Sequence, residues 1–367
     1  AVRSKDTVAR HGGDEFVILF EDLHKPSDII TIIQHIQEAI AEPIEMEGTN
    51  LRITGSIGVA IYPSKGVTPE NIIQCSDIAM YHAKKQGKNN YQVYLPKLAT
   101  QALEKLGLLS DLRNAILQNQ LLLMYQPIIY LNEPAKKAYE ALIRWQHPIY
   151  GLLPPEKFLP LAEENNMMEV MGEWVVRQAC LQSMASQDFM LNPFQVQVNI
   201  SENEITPYLP QKIQKILIET GFPAHLLVLE IVEKFVSTNV MDIVDILQSL
   251  KSLGVKIAID DFGSGQTSLQ QLSVQYFDIV KIDRSLIVDV FENSSTQKII
   301  SGLVKLAKEL NIIIVAEGVE NEDQLNKLIE LGCSNIQGWY FSKALPVEDY
   351  HKFSHTEPLQ MDSKIAP

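Results

Sequence analysis

No stretch of this 367-residue chain approaches the ~20 consecutive apolar residues of a membrane span, and no secretory leader is visible. Cysteine is scarce. The three present, Cys75, Cys180 and Cys333, form no CxxC pair, which argues against a disulfide framework or a zinc site and for a reducing, cytoplasmic setting. The eight histidines show no HExxH or other paired spacing, so each reads as a surface or satisfied polar residue. Basic charge is also short, with 31 Lys and Arg against 45 Asp and Glu, a net charge of -14. Such a surface excludes non-specific binding to a nucleic-acid polymer. It does not exclude one small anionic substrate, because bound cations reverse the local field. The chain begins at Ala1, without Met, inside a patterned segment. The expectation is part of a longer protein whose remainder would carry a sensor or membrane anchor.

Composition is that of a globular chain with core enough for two domains, 46% hydrophobic and 21% charged. Residues 1–95 read as mixed α/β. Val8 to Phe20 suggests two short strands around the turn His11 to Glu15. A helix comes next, with Ser27 as N-cap and Ile29, Ile33, Ile36 and Ile40 on one face, stopped at Pro43. Leu51–Tyr62 reads as one strand, Pro69–Lys85 as a helix and Tyr91–Tyr94 as a strand. Residues 96–117 make a connector helix, equally readable as an ordinary packing helix of the second domain. From residue 118 to 356, strands alternate with helical patterns. The strands expected are Leu121–Gln126, Ala138–Ile143, Gln195–Ile200, Leu227–Ile231, Val255–Asp260, Ile279–Ile282, Ile312–Glu317 and Asn335–Gly338. Eight strands with βα units predict a TIM-like (β/α)8 barrel. Residues 357–367 read as a polar tail.

Polar residues gather where these strands end. Glu140, Asn199, Glu230, Asp260, Asp261, Lys281, Glu317 and Gln337 fall in or at the ends of successive strands. In such a barrel the C-terminal strand ends meet at one mouth. One acid at a strand end is ordinarily a helix cap or a solvated loop residue. Several facing one cavity repel unless protonated or neutralised by cations. Carboxylates with one amide, and no His or Cys, favour Mg2+ or Mn2+ over Zn2+. The doublet Asp260-Asp261, set before Gly263-Ser264-Gly265, suits two neighbouring ions, the usual device for in-line phosphodiester hydrolysis.

Residues 121–352 resemble the EAL phosphodiesterases, which hydrolyse cyclic di-GMP to linear pGpG. The matching stretches include Tyr125-Gln126-Pro127, Glu140-Ala141-Leu142-Ile143-Arg144-Trp145, His147-Pro148 and Val198-Asn199-Ile200-Ser201. They continue through Leu229-Glu230-Ile231-Val232-Glu233, Asp260-Asp261-Phe262-Gly263, Lys281-Ile282-Asp283, Ala316-Glu317-Gly318-Val319-Glu320 and Gln337-Gly338. The resemblance implies two metal ions per site. Glu140, Asn199, Glu230 and Asp260 would hold one. Asp260 would bridge to a second, held also by Asp261. Glu317 would belong to the second ion's shell or act as a base. Lys281 would orient the attacking water or meet the phosphate, with Gln337 near the phosphate. Gln126, Arg144 and Asp283 would contact substrate, and Glu233 would fix the loop after Asp260. A homodimer through this domain is implied too. The sequence departs from the family at Val232, Gln266, Gln275 and Tyr276. These changes bear on rate and regulation more than on metal binding.

Residues 1–95 are similar to the later half of a GGDEF diguanylate cyclase domain. Gly12-Gly13-Asp14-Glu15-Phe16 is intact, and Lys84 and Lys88 lie in a stretch like the family's phosphate-contacting AKxxGRN. The resemblance implies GTP as a ligand, with Asp14 and Glu15 as metal-binding residues. Arg3 and Asp6 match the RxxD inhibitory product site and read equally as a surface ion pair. The earlier half of that domain is missing here, so cyclase activity is not expected. The leading expectation is a cyclic di-GMP phosphodiesterase in bacterial second-messenger signalling. The alternative is a catalytically weak EAL domain acting as a cyclic di-GMP receptor, with the GGDEF part sensing GTP.

Overall fold

The computed structural model describes residues 2–3, 5–21, 28–46, 49–263 and 276–349. The expected cap Ser27, the Ser264-Gly265 turn, the departures Gln266 and Gln275, and the tail after residue 356 lie outside them. The chain divides into two compact units, Ala1–Ser110 and Asp111–Pro367. Among the described residues no helix is long and apolar enough to cross a membrane.

The first unit opens with the hairpin β1 (Thr7–Gly12) and β2 (Glu15–Leu19), paired antiparallel from Thr7↔Leu19 to Gly12↔Glu15. Gly13 turns the chain at φ +52°. Then come α1 (Asp28–Ala41), the short hairpin β3 (Ile44–Met46) and β4 (Thr49–Leu51), β5 (Ile57–Val59), α2 (Ile72–Lys85) and β6 (Tyr91–Val93). The helical stripe expected of α1 is real: Ile29 and Ile33 pack with Val59, and Phe20, Ile57, Ile61, Tyr91 and Val93 surround them. The single strand expected over 51–62 is instead two, β4 and β5. β4 pairs back on β3, whereas β5 pairs in parallel with β6, so the two ends serve different ladders. Helix α3 runs Pro96–Ala115.

The second unit is a closed barrel. Its chain order is β7 (Leu121–Tyr130), β8 (Lys137–His147), β9 (Gly151–Leu153), α4 (Pro155–Glu164), α5 (Met168–Ala185), α6 (Gln187–Leu191), β10 (Gln195–Ile200) and α7 (Leu209–Thr220). It continues with β11 (Leu227–Val232), α8 (Glu233–Ser252), β12 (Lys256–Phe262), β13 (Ile279–Ile282), α9 (Arg284–Val288), α10 (Ser294–Glu309), β14 (Ile313–Ala316), α11 (Glu322–Glu330), β15 (Asn335–Ile336) and β16 (Leu345–Pro346). Strands β8, β10, β11, β12, β13, β14 and β15 succeed one another in parallel register. β7 closes the ring by pairing with β8 and β15, and both pairings are antiparallel. The eight-stranded barrel is therefore as expected, except that its first strand is reversed and joined to the second by a hairpin rather than a helix. The near-continuous apolar run of β11, buried from Leu227 to Ile231, is what a strand covered on both faces requires. Ile128, Tyr130, Ala138, Val228, Ala258, Ile279 and Val315 form a packed cluster from six of the strands. The polar residues of interest lie further along the same strands.

Candidate active site and metal centre

Period-two alternation places Glu140 on β8, Glu230 on β11 and Lys281 on β13 in line with the cluster residues Ala138, Val228 and Ile279. They converge. Lys281 is wholly buried, and its Nζ lies 3.2 Å from Glu140 Oε2, 3.0 Å from Glu230 Oε2, 3.6 Å from Asp260 Oδ1 and 2.5 Å from Glu317 Oε1. One ammonium thus faces four carboxylates. Glu140 also accepts hydrogen bonds from Asn199 Nδ2 (2.7 Å) and Gln337 Nε2 (2.6 Å). Glu230 Oε1, in a residue 1% exposed, has no hydrogen-bond partner among the described residues, and neither has Gln337 Oε1. Carboxylate oxygens of Asp260, Asp261 and Glu317 all lie within 4.8 Å of one another.

Proton affinities reflect this crowding. Burial, then the charge of Glu140, drives Glu230 well above the usual carboxylate range. Burial pushes Glu317 up to about 8, with Lys281 opposing and Asp260 and Glu140 adding. Asp261 rises to about 6, from burial and then from Asp260 and Asp283. Burial works against ionised Glu140 as well, but Lys281, Gln337 and Asn199 outweigh it and hold its carboxyl below the usual value. Lys281 stays firmly protonated: burial opposes its charge, and the four carboxylates overcome that. Orphaned buried oxygen, a surplus of negative charge and an all-oxygen donor set fit a divalent-cation site.

The remaining expected residues take varied positions. Gln126 on β7 stands opposite Glu140, donates to the Ser342 carbonyl (3.1 Å) and accepts from Gln337 Nε2 (3.3 Å). Arg144 is half-buried on β8, its Nη1 donating to the Ile143 carbonyl (2.8 Å). Glu233 Oε2 accepts from the Gly263 amide (2.7 Å), which ties the start of α8 to the end of β12. Between them Asp261 takes a left-handed backbone, φ +56°. Asp283, expected to contact substrate, has its carboxylate capping α9 by accepting from the Ser285 amide (3.0 Å). His147, in the matching His147-Pro148 stretch, is a satisfied polar histidine. It is buried, its Nδ1 accepts from the amides of Ile149 and Tyr150, and its Nε2 donates to Asp111 at 3.1 Å. Nothing nearby in sequence points to Asp111.

The first unit's residues form a set of their own. Gly12, Gly13 and Asp14 lie in and beside the exposed turn between β1 and β2, where Arg10 Nη2 donates to the Gly13 carbonyl (2.7 Å). Glu15 lies 3.9 Å from Lys84, and Lys88 adopts a left-handed turn, φ +58°. Arg3 and Asp6 pair with each other (Nη2 to Oδ1, 2.9 Å), and Arg3 holds the Asp6 carboxyl below its usual value.

Comparison with known proteins agrees with this geometry. The EAL domain family matches residues 109–344, and the diguanylate cyclase GGDEF domain family matches residues 1–90. The Bifunctional diguanylate cyclase/cyclic di-GMP phosphodiesterase MucR of Pseudomonas aeruginosa is 38% identical over 348 residues, 95% of this chain and 51% of that protein. The Cyclic di-GMP phosphodiesterase NbdA of the same organism is 35% identical over 353 residues, 96% of this chain and 45% of that protein. The chain thus spans about half the length of the curated relatives it matches. A solved structure, the PaMucR phosphodiesterase in complex with c-di-GMP, superposes with TM-score 0.62 at 36% identity, covering 66% of this chain and 99% of that one. The chain belongs to the EAL domain family, with a stretch of the GGDEF domain family preceding its barrel.

Proposed function

We propose that the barrel hydrolyses cyclic di-GMP to linear pGpG. The observation that carries this reading is the charge surplus at the barrel mouth: four carboxylates around Lys281, with Glu230 Oε1 lacking a partner among the described residues. The names of MucR and NbdA, and the ligand in the MucR structure, support the same substrate. Glu140, Asn199, Glu230 and Asp260 would hold one divalent ion, Mg2+ or Mn2+, and Asp260, Asp261 and Glu317 a second. When bound there, such a pair supplies Lewis-acid neutralisation of the phosphate and acidifies a coordinated water.

The chain's own groups do the rest. The three N–H groups of Lys281 are taken up by its carboxylate partners, and one would turn to the water or the phosphate once divalent cations draw on those carboxylates. Gln337, whose nitrogen fixes Glu140 and whose Oε1 has no partner among the described residues, would lie near the phosphate. Arg144 offers a planar fork suited to a second phosphate of the dianionic substrate. Glu233, through the Gly263 amide, holds the strained backbone that aims Asp261. A homodimer through the barrel, GTP at the Gly12–Glu15 turn with Lys84 and Lys88, residues 96–117 as the connector, and a cytoplasmic setting belong to the same reading.

The test is direct. The purified chain is incubated with cyclic di-GMP and Mg2+ or Mn2+, and the products are resolved by chromatography. Linear pGpG is expected. Intact substrate that nevertheless binds the protein would replace the enzyme with a receptor.

A further inference from the structure

We infer that Glu204, seated against Gly172, is the positioning residue that holds Asn199 in the metal site; the inference rests on the reading of Asn199 as a metal ligand. Asn199 is weakly anchored where it matters. The ladder between β10 and β8 ends at Val198↔Ala141, while β10 and β11 stay paired through Asn199↔Glu230 and Ile200↔Ile231. Asn199 therefore sits past the last rung on the side of β8, the side across which its Nδ2 reaches Glu140 Oε1 at 2.7 Å. The turn just after β10 fixes the chain there. Glu204 Oε2 accepts from both the amide (2.9 Å) and the hydroxyl (2.7 Å) of Ser201, and the Glu204 amide donates to the Ser201 carbonyl at 3.0 Å. Two residues before that closed box stands Asn199.

The box is wedged from outside. Glu204 is buried beneath α5, and a Cβ on Gly172 would collide with Glu204 Oε1. A glycine inside a helix costs about 1 kcal/mol relative to alanine. At this position it leaves the room that the carboxylate fills. A buried acid, a serine and a gap on a neighbouring helix together set the end of β10, without touching the site themselves.

Mn2+ titration calorimetry, with melting curves alongside, tests this on the whole chain. Glu204→Ala and Gly172→Ala are expected to weaken Mn2+ binding by about 10–100-fold, as loss of the supports of metal ligands does. Glu204→Gln keeps an acceptor oxygen and is expected to bind close to the parent. If Glu204→Ala does not fold, Ser201→Ala, which removes only the hydroxyl bond, takes its place. Folded variants that bind Mn2+ as tightly as the parent overturn the inference, and so does a lowered melting temperature with unchanged Mn2+ affinity. A parent that binds Mn2+ but leaves cyclic di-GMP intact defeats the enzyme reading alone, since the titration still decides this one. A parent that binds no Mn2+ defeats both.

Discussion

Replacing Lys281 by Met keeps the length of the side chain and removes its charge. In the metal-free protein that leaves Glu140, Glu230, Asp260 and Glu317 facing one another without a cation. At the 3.2 Å separating Lys281 from Glu140, whose carboxyl is held below its usual value and so stays ionised, a unit charge pair is worth on the order of 5 kcal/mol at an effective dielectric near 20. The gross attraction is offset by the desolvation of a wholly buried ammonium and by repulsion among the carboxylates, which persists either way. Breaking a buried ion group by deleting one partner costs about 3–5 kcal/mol net. In a unit of this size each kcal/mol moves the melting temperature by about 2–4 °C, so a fall of about 6–20 °C is expected. All three tryptophans, Trp145, Trp174 and Trp339, lie in the second unit, so their fluorescence tracks the barrel alone. Saturating Mn2+ should return much of the loss and raise the variant's melting temperature more than the parent's. A variant that melts with the parent in chelator would refute the charge argument, because Lys281 would then be carrying none of the balance.

Glu140→Ala should lower turnover at least about 100-fold while the chain stays folded, since it removes a metal oxygen and strands one Gln337 donor at a cost of about 1–3 kcal/mol; product chromatography and a melting curve read both. Chelation should abolish hydrolysis, Mn2+ should restore it, and Mn2+ at 100 times its Kd should stabilise the barrel by about 2.7 kcal/mol. Stability in chelator should fall with rising pH. Glu317 titrates near 8 in the fold against 4.5 ordinarily, and Asp261 near 6 against 3.8, so the folded state holds more protons across that window and loses the advantage as they leave. Mn2+ affinity should rise over the same interval as fewer protons compete for the oxygens, and a pH-independent affinity in calorimetry would contradict the assignment.

Much of the barrel was readable because each strand is short, apolar and bounded. Gln195–Ile200 and Ile279–Ile282 match their expected ranges to the residue. The acids at successive strand ends pointed to one mouth for the same reason. The direction of β7 was not readable: whether Leu121–Tyr130 runs with or against its neighbours depends on pairing with β15, some two hundred residues away. Helix α8 begins at Glu233, whose carboxylate is bound to the Gly263 amide, a contact thirty residues away that no local pattern announces. The box at Ser201 to Glu204 did have a local signature, Ser-x-x-Glu, but nothing in it announces a gap at Gly172.

Reversal of β7 also shapes the chemistry. A parallel β7 would need a crossover before β8, as every parallel pair does. The hairpin instead sets Gln126 directly opposite Glu140 in an antiparallel ladder, within reach of Gln337 and the Ser342 carbonyl. Two uncharged amides hold the carboxylate that Lys281 neutralises: Asn199 donates to Oε1, and Gln337, braced by Gln126, donates to Oε2 beside Lys281. They orient Glu140 without adding charge, so the surplus of negative charge that would hold divalent ions is left intact. That surplus is also what destabilises the metal-free barrel, which is why stability and metal occupancy should rise together in this protein.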